Sequence, residues 1–294
     1  MRFISSFIAV CFLVLSPVDG VAKALKVVSL APSWSHTVAD IGAIDTLVGV
    51  TRYARFPAAI PQRVKANQIA VVGGFTDINL ETILAVSPDL VLTSTSLQLG
   101  LKAQLEQHGI KVIHMSGNSL DEVYHKIIQL GEAIAHQQQA TALVHNIQSA
   151  LAQIKQQYAH LPKPKVYYEI NYFYKCVPGQ DSYITELIEL TGATAIFSNR
   201  EGSAPAVSWD EVVQANPDIV LLPTWPNAKG PSFSGPQAGS GTTTIDEVKQ
   251  RPNATLVDAV KQDKVMFIDS AITKQPGPSI PDAARILAKA IYGQ

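Results

Sequence analysis

Cysteine is nearly absent from this chain. Its 294 residues hold two, Cys11 and Cys176, and the first lies in a stretch expected to be removed. A single remaining cysteine forms no internal disulfide, so a small disulfide-stapled extracellular domain is excluded and the fold must rest on its core. Charge of one sign is missing too. Lys+Arg number 23 and Asp+Glu 24, with no long run of either. A nucleic-acid partner would show a basic stripe, and none exists. Histidine stops early: all seven lie between His36 and His160. A zinc or manganese ion held between two lobes usually takes imidazole and carboxylate from both, so no metal ligand is assigned.

Catalytic signatures are also lacking. Gly239-Ser240-Gly241 has no third glycine of a dinucleotide fingerprint. There is no Walker lysine motif, and Ser232 and Ser234 miss the nucleophile-elbow spacing by one residue. No catalytic residue is therefore assigned. An exported α/β hydrolase, the enzyme alternative, would need a Ser/His/acid set that the histidine-free second half does not supply. Long apolar runs are confined to the start, where Phe3 to Leu15 follows Arg2. That run is about 13 residues, short of the ~20 that span a bilayer. With Ala22-Lys23-Ala24 after it, residues 1–24 read as a signal peptide cleaved after Ala24, and the mature chain is expected in the periplasm.

What is present is a hydrophobic content of 47%, enough for two medium-sized cores. Short apolar runs alternate with helical stretches from Val27 onward, the pattern of a parallel sheet flanked by helices. The signal is helical from Leu120 to about Leu161. Within it, Ala140, Leu143, Val144, Ile147, Leu151, Ile154 and Tyr158 step by three and four. They form one apolar face of a helix from about Gln137 to Ala159, roughly 35 Å long, that Pro162 and Pro164 end. The βα pattern then resumes.

Asn79 to Leu92 (NLETILAVSPDLVL) and Ser208 to Leu221 (SWDEVVQANPDIVL) share four of fourteen positions at an offset of 129 residues. Each copy reads as a short helix, a Pro-Asp turn and a buried strand. The expected fold is therefore α/β, with two Rossmann-like lobes bridged by one long rigid helix. The boundaries are 25–136 for the N-terminal lobe, 137–160 for the bridging helix and 161–294 for the C-terminal lobe.

Glu81 and Asp210 hold the same place in the two copies, behind the N-caps Asn79 and Ser208, and Ser208 with Glu211 fits a capping box. Each acid offsets its helix dipole or faces a partner protein. Pro32, Ser33 and Trp34 join the first strand to the first helix, where ligands bind in open α/β sheets. Aromatic residues fall in predicted loops: Tyr53, Phe56, Phe75, Tyr172, Phe173, Tyr174 and Trp225. Such residues rimming a cleft suit a large, flat or apolar ligand. Residues 226–244, rich in Gly, Ser, Thr and Pro, read as a surface loop.

Val27-Val28-Ser29-Leu30-Ala31-Pro32-Ser33, Gly49-Val50-Thr51-Arg52-Tyr53, Val72-Gly73-Gly74-Phe75 and the Asn79-to-Leu92 unit together resemble the periplasmic-binding family for cobalamin and iron-siderophore uptake, above all its cobalamin-binding receptors. The resemblance implies a non-enzymatic, monomeric receptor that hands a small metal-chelate ligand to the permease of an ABC importer and holds no intrinsic cofactor. It implies that Tyr53 and Phe75 line a corrinoid site, with Pro32 on the ligand side. Tyr172, Phe173, Tyr174 and Trp225 would meet the ligand from the second lobe, with Gly277 and Pro278 in a site loop. The arginine places of that loop hold Gln275 and Ser279. Glu81 and Asp210 match the acids that dock on the permease. A ferric siderophore or haem is the alternative ligand.

Overall fold

The computed structural model describes residues 24–74, 77–170, 175–224 and 243–293. Its described strands fall into two sheets, each wholly parallel. The first comprises β1 (Val27–Ser29), β2 (Leu47–Val50), β3 (Ala70–Val71), β4 (Leu90–Thr93) and β5 (Lys111–His114). The second comprises β6 (Lys165–Tyr168), β7 (Thr194–Ala195), β8 (Ile219–Thr224) and β9 (Val265–Asp269). The strand orders are β3-β2-β1-β4-β5 and β7-β6-β8-β9. Helices connect the strands: α1 (Pro32–Asp40), α2 (Ala59–Lys65), α3 (Leu80–Ala85), α4 (Leu99–Gln107) and α5 (Leu120–Ala133) in the first lobe. The helix α6 (Gln137–Tyr158) follows. The second lobe adds α7 (Tyr183–Leu190), α8 (Trp209–Ala215), α9 (Ile245–Lys249), α10 (Asp258–Lys261), α11 (Ser270–Thr273) and α12 (Ile280–Tyr292).

Short, valine-rich strands suit this architecture because parallel strands are covered on both faces. Their alternation sorts the core into layers. Val27, Leu90 and Leu92 point into a central cluster, while Val28, Leu30 and Val91 point to the opposite face of the first sheet. The second sheet divides likewise, with Val166, Tyr168 and Leu221 central and Tyr167, Val220 and Leu222 outside. The central cluster runs without a break from the first sheet through α6 to the second sheet and α12.

The internal repeat is a repeat of structure as well as of letters. Asn79 and Ser208 cap α3 and α8 through their side chains, and Ser208 and Glu211 complete the capping box. Before each proline the chain turns through a left-handed residue, Ser87 at φ 49° and Asn216 at φ 45°. The aspartates that follow then do identical work. The Asp89 carboxylate accepts from Lys26 N–H at 2.9 Å, and Asp218 accepts from Lys165 N–H at 2.7 Å. Each pins the start of its lobe's central strand beside the strand it opens.

Helix α6 has 22 residues, or about 33 Å of axis. Its buried residues, Ala140, Ile147, Leu151, Ile154 and Tyr158, are those the periodicity selects. The helical stretch from Leu120 to Leu161 is divided between α5 and α6, and α6 begins at Gln137. The chain breaks at Ala135, which takes φ 59°, and His136 N–H bonds back to the Gly131 carbonyl at 2.7 Å. Gly131 makes the reversal feasible, since a Cβ there would lie 2.4 Å from the Ala140 Cβ. At the far end the Tyr158 and Tyr292 rings stack at 5.4 Å, locking α6 to α12.

Candidate ligand-binding cleft

The carboxyl ends of both sheets meet at a cleft. From the first lobe it is lined by Pro32, Ser33, His36, Tyr53, Arg55 and Phe56, and from the second by Ala271, Gln275 and Ser279. The unfilled space measures about 310 Å³, part of it open to solvent.

Local geometry sets each wall. Ser29 Oγ donates to the Ala31 carbonyl at 3.0 Å, and Pro32 then starts α1 with its φ already helical. Ser33 and His36 lie within about 100° of Pro32 around the helix axis, so all three face the cleft. Trp34 is turned about 200° away. It is fully buried, and its indole N–H donates to the Met115 carbonyl at 2.6 Å. The expectation that Trp34 stacks on the ligand is therefore corrected: it is a core residue that fixes α1 to the end of β5.

The loop after β2 carries Tyr53, Arg55 and Phe56. Asp77 grips the Arg52 guanidinium through two bonds, 3.0 and 2.5 Å, and also accepts from Gly74 N–H at 3.0 Å. That pairing holds the Asp77 carboxyl below its ordinary pKa, the Arg52 hydrogen bond being the main cause. The guanidinium lies 5.9 Å from the Tyr53 ring centre and so backs the aromatic wall. Phe56 is 42% exposed, a large apolar surface left open at the cleft.

The second lobe contributes α11 and the loop leading to α12. Gly277 adopts φ +123°, and a Cβ on it would stand 2.9 Å from Thr37 Oγ1. It is buried against α1, so this glycine is a packing contact between the lobes and not an open part of the ligand wall as the resemblance implied. Pro278 is half-buried beside it, next to the lining residue Ser279. Ser279 Oγ meets His36 Nδ1 across the cleft at 3.3 Å, and His36 Nε2 lies 3.4 Å from Asp40. The lobes are further tied by Tyr183 N–H to the Asn118 carbonyl, 2.5 Å, and by Leu120 N–H to Glu186, 2.8 Å.

Pro32, Ser33 and Tyr53 are thus brought together as the sequence suggests. Phe75, Tyr172, Phe173, Tyr174 and Trp225 lie outside the described residues, as does most of the 226–244 loop. The sequence reading missed His36, Arg55 and Ala271 as lining residues, and noted Phe56, Gln275 and Ser279 without assigning them. For His36 a signal existed, because it follows Pro32 by four residues on a helix.

Behind the second-lobe wall sits a buried ion cluster. Glu169 is 2% exposed and accepts from Arg251 at 2.7 and 3.1 Å, from Tyr167 Oη at 2.7 Å and from Thr243 Oγ1. Burial pushes its carboxyl up, and Arg251, Lys175 and Thr243 more than reverse this, leaving it below the usual value. Arg251 also lies 4.8 Å over the Trp209 ring. Cys176, half-buried nearby, has its thiol pushed up by burial and by Glu169.

Glu81 and Asp210 stand exposed in the first turns of α3 and α8. Each helix runs antiparallel to the strand that follows it, so both acids lie at the carboxyl edges of their sheets, flanking the cleft. Neither forms an ion pair among the described residues. Glu211, the neighbouring acid, is committed to its capping box and to Arg200.

A two-sheet, helix-bridged fold with its cleft between facing strand ends defines a bilobal binding protein. The chain belongs to the periplasmic binding protein family, whose profile matches residues 27–272. It is 26% identical over 278 residues to the uncharacterized ABC transporter substrate-binding lipoprotein YvrC of Bacillus subtilis, covering 91% of this chain and 80% of that one. It is 26% identical over 266 residues to the vitamin B12-binding protein of Vibrio cholerae, covering 87% and 94%. Among solved structures it resembles a possible iron-binding (periplasmic solute-binding) protein of Staphylococcus epidermidis, with TM-score 0.74, 23% identity and coverage of 91% and 98%. It also resembles a periplasmic heme binding protein of Pseudomonas aeruginosa, with TM-score 0.71, 21% identity and coverage of 92% and 93%. The family and these relatives are binding proteins, and the chain is a solute-binding protein of the ABC-importer class, not an enzyme.

Proposed function

We propose that the protein is a periplasmic receptor that captures a corrinoid of the cobalamin class and presents it to an ABC importer. The observation that carries this reading is the cleft between the two sheets, walled by Tyr53 and Phe56 and closed on the far side by the α11–α12 loop. An exposed aromatic wall suits the flat, apolar face of a macrocycle. The likeness in sequence to vitamin B12-binding proteins supports the same ligand. A second reading, a haem or ferric-siderophore receptor, is favoured by fold similarity: the heme-binding neighbour aligns with TM-score 0.71 and the Vibrio cholerae vitamin B12-binding structure with 0.68. Ligand contact by Phe75, Tyr172, Phe173, Tyr174 and Trp225, expected from the resemblance, is part of the proposal in either reading. Export by a cleaved leader ending at Ala24, a monomeric mature chain, and docking of Glu81 and Asp210 on basic pockets of the permease belong to the same proposal.

Calorimetric titration of the chain from residue 25 onward with cyanocobalamin, haemin and ferrichrome tests it. One-to-one binding of cyanocobalamin with a free energy of about −8 kcal/mol or better supports the corrinoid reading. Binding of an iron chelate alone keeps the receptor and changes the cargo. No heat with any of the three overturns the chelate reading altogether.

A further inference from the structure

In each lobe an arginine stands between the ligand wall and the helix whose first turn carries the acid proposed to dock on the permease. In the first lobe the wall residue is Tyr53. Arg52, whose guanidinium lies 5.9 Å from the Tyr53 ring centre, is gripped by Asp77 at 3.0 and 2.5 Å. Two residues beyond Asp77, Asn79 caps α3. Its side chain accepts from Thr82 N–H at 3.0 Å, and its own N–H bonds to the Val72 carbonyl at 3.0 Å. Glu81 sits inside that capped turn.

The second lobe repeats the plan with different letters. Ala271 and Gln275 line the cleft. Lys274, between them in the chain, does not line it and donates to the Ile170 carbonyl at 3.2 Å. Ile170 follows Glu169, and the Glu169 carboxylate takes two bonds from Arg251, at 2.7 and 3.1 Å. Arg251 in turn lies 4.8 Å over the ring of Trp209, the first residue of α8. Trp209 donates to the Pro252 carbonyl at 2.8 Å and meets the Tyr167 ring edge-on, and Tyr167 Oη donates to Glu169. Asp210 is the next residue. A bidentate arginine–carboxylate pair fixes orientation as well as distance. The arginine face on an aromatic ring adds a second constraint.

Helices α3 and α8 have six and seven residues, too few to hold their first turns without caps and packing. Such turns open locally at low free-energy cost. A cargo that immobilises Tyr53 or α11 also holds the attached arginine, and through it the cap. We infer that Arg52 and Arg251 are positioning residues that each join a ligand wall to the turn bearing a docking acid, so that a filled cleft orders Glu81 and Asp210 for the permease. The signal is ordering and not displacement, which accords with two lobes tied together by direct bonds. For its recipient this inference rests on the docking reading above.

Hydrogen exchange of the chain from residue 25 onward, free and saturated with cyanocobalamin (or with haemin where that is the probe that binds), tests the coupling. Amide exchange in residues 79–82 and 208–211 should slow roughly fivefold or more on loading. Arg52→Gln should abolish the slowing at 79–82 alone, and Arg251→Lys at 208–211 alone. Arg251→Lys keeps a cation beside Glu169 and loses the flat face on Trp209. Arg52→Gln alters an exposed pair and keeps the test open even where Arg251→Lys fails to fold. A merely structural defect would speed exchange in free and loaded protein alike. No slowing in the unaltered protein, slowing that survives in the matching lobe of either variant, or a loss spread over both lobes overturns the inference and leaves the docking reading standing. Uptake at the unaltered rate by a receptor carrying Glu81→Arg and Asp210→Arg overturns the docking reading and the role given to the coupling, while the exchange result stands. Silence with every probe overturns the receptor reading and this inference with it.

Discussion

At the residue scale the cleft separates side chains that share a sequence neighbourhood. Tyr53 and Trp34 are both aromatic, and both follow a strand end. Tyr53 is half-buried on a loop braced by the Arg52–Asp77 pair, whereas Trp34 lies on the inward side of α1 with its indole N–H engaged by Met115. Tyr53→Ala is expected to weaken ligand binding by roughly tenfold to a hundredfold, as loss of a central aromatic contact costs about 1–3 kcal/mol. Tyr53→Phe should keep most of the affinity. Calorimetry reads both, and an unchanged melting temperature would show that Tyr53→Ala acts on the ligand and not on the fold.

Buried charge gives a second residue-scale expectation. The folded-state pKa of Glu169 lies below its unfolded value because Arg251 and its neighbours outweigh burial. Its contribution to stability is therefore present above the unfolded glutamate pKa, about 4.3, and is lost as pH falls through the lower folded value. Chemical denaturation followed from pH 7 down to pH 3 should show an acid decline beginning below about 4.5. In Glu169→Gln that part of the decline should vanish, while stability at pH 7 falls because Arg251 loses the more buried of its two carboxylate partners and keeps only Glu247. An unchanged acid limb in the variant would remove Glu169 from the account.

At the element scale the critical feature is the reversal between α5 and α6. Gly131 sits where these helices touch, and Ala140 leaves no room for a methyl group. Gly131→Val should cost about 1–3 kcal/mol through forced repacking, visible as a lower denaturation midpoint. The same substitution at Gly100, which has no neighbour within 4 Å of an added Cβ, should leave stability unchanged or raise it by a few tenths of a kcal/mol, because valine has the better helix propensity. Equal losses at both sites would mean that the close contact is not what constrains position 131.

For the whole molecule, the unbroken core through α6 and the lobe-to-lobe bonds leave little freedom for hinge closure. Spin labels placed on the two lobes should report distances that change by less than about 2 Å on ligand binding, the behaviour of a preorganised receptor. A larger shift would require α6 to bend or the His36–Ser279 and Leu120–Glu186 contacts to part. The proposed docking on the importer belongs to this scale as well, because it joins Glu81 and Asp210, which 129 residues separate. Glu81→Arg with Asp210→Arg should leave ligand affinity unchanged and abolish uptake in a transport assay with the reconstituted importer. Loss of ligand affinity in the double variant would place these acids in the binding site.

The sequence by itself determined the elements: the βα alternation, the apolar face of α6, the capped repeats and their Pro-Asp turns. These depend on periodicity, on caps within three residues, and on proline geometry, all of which are local. It also placed Pro32, Ser33 and Tyr53 at strand ends, since strand ends are where an open α/β sheet exposes its loops. Tertiary structure decided what local rules do not reach. One residue before and two residues after it along α1 are all that separate the cleft-facing Ser33 and His36 from the core residue Trp34, and only packing against Met115 fixes which face turns inward. The start of α6 near Gln137 was legible, but the close approach of Gly131 to Ala140 that shapes the turn is a tertiary contact with no local signature. The meeting of His36 with Ser279 joins residues 243 positions apart. Their proximity is a product of how two sheets are set against one shared core.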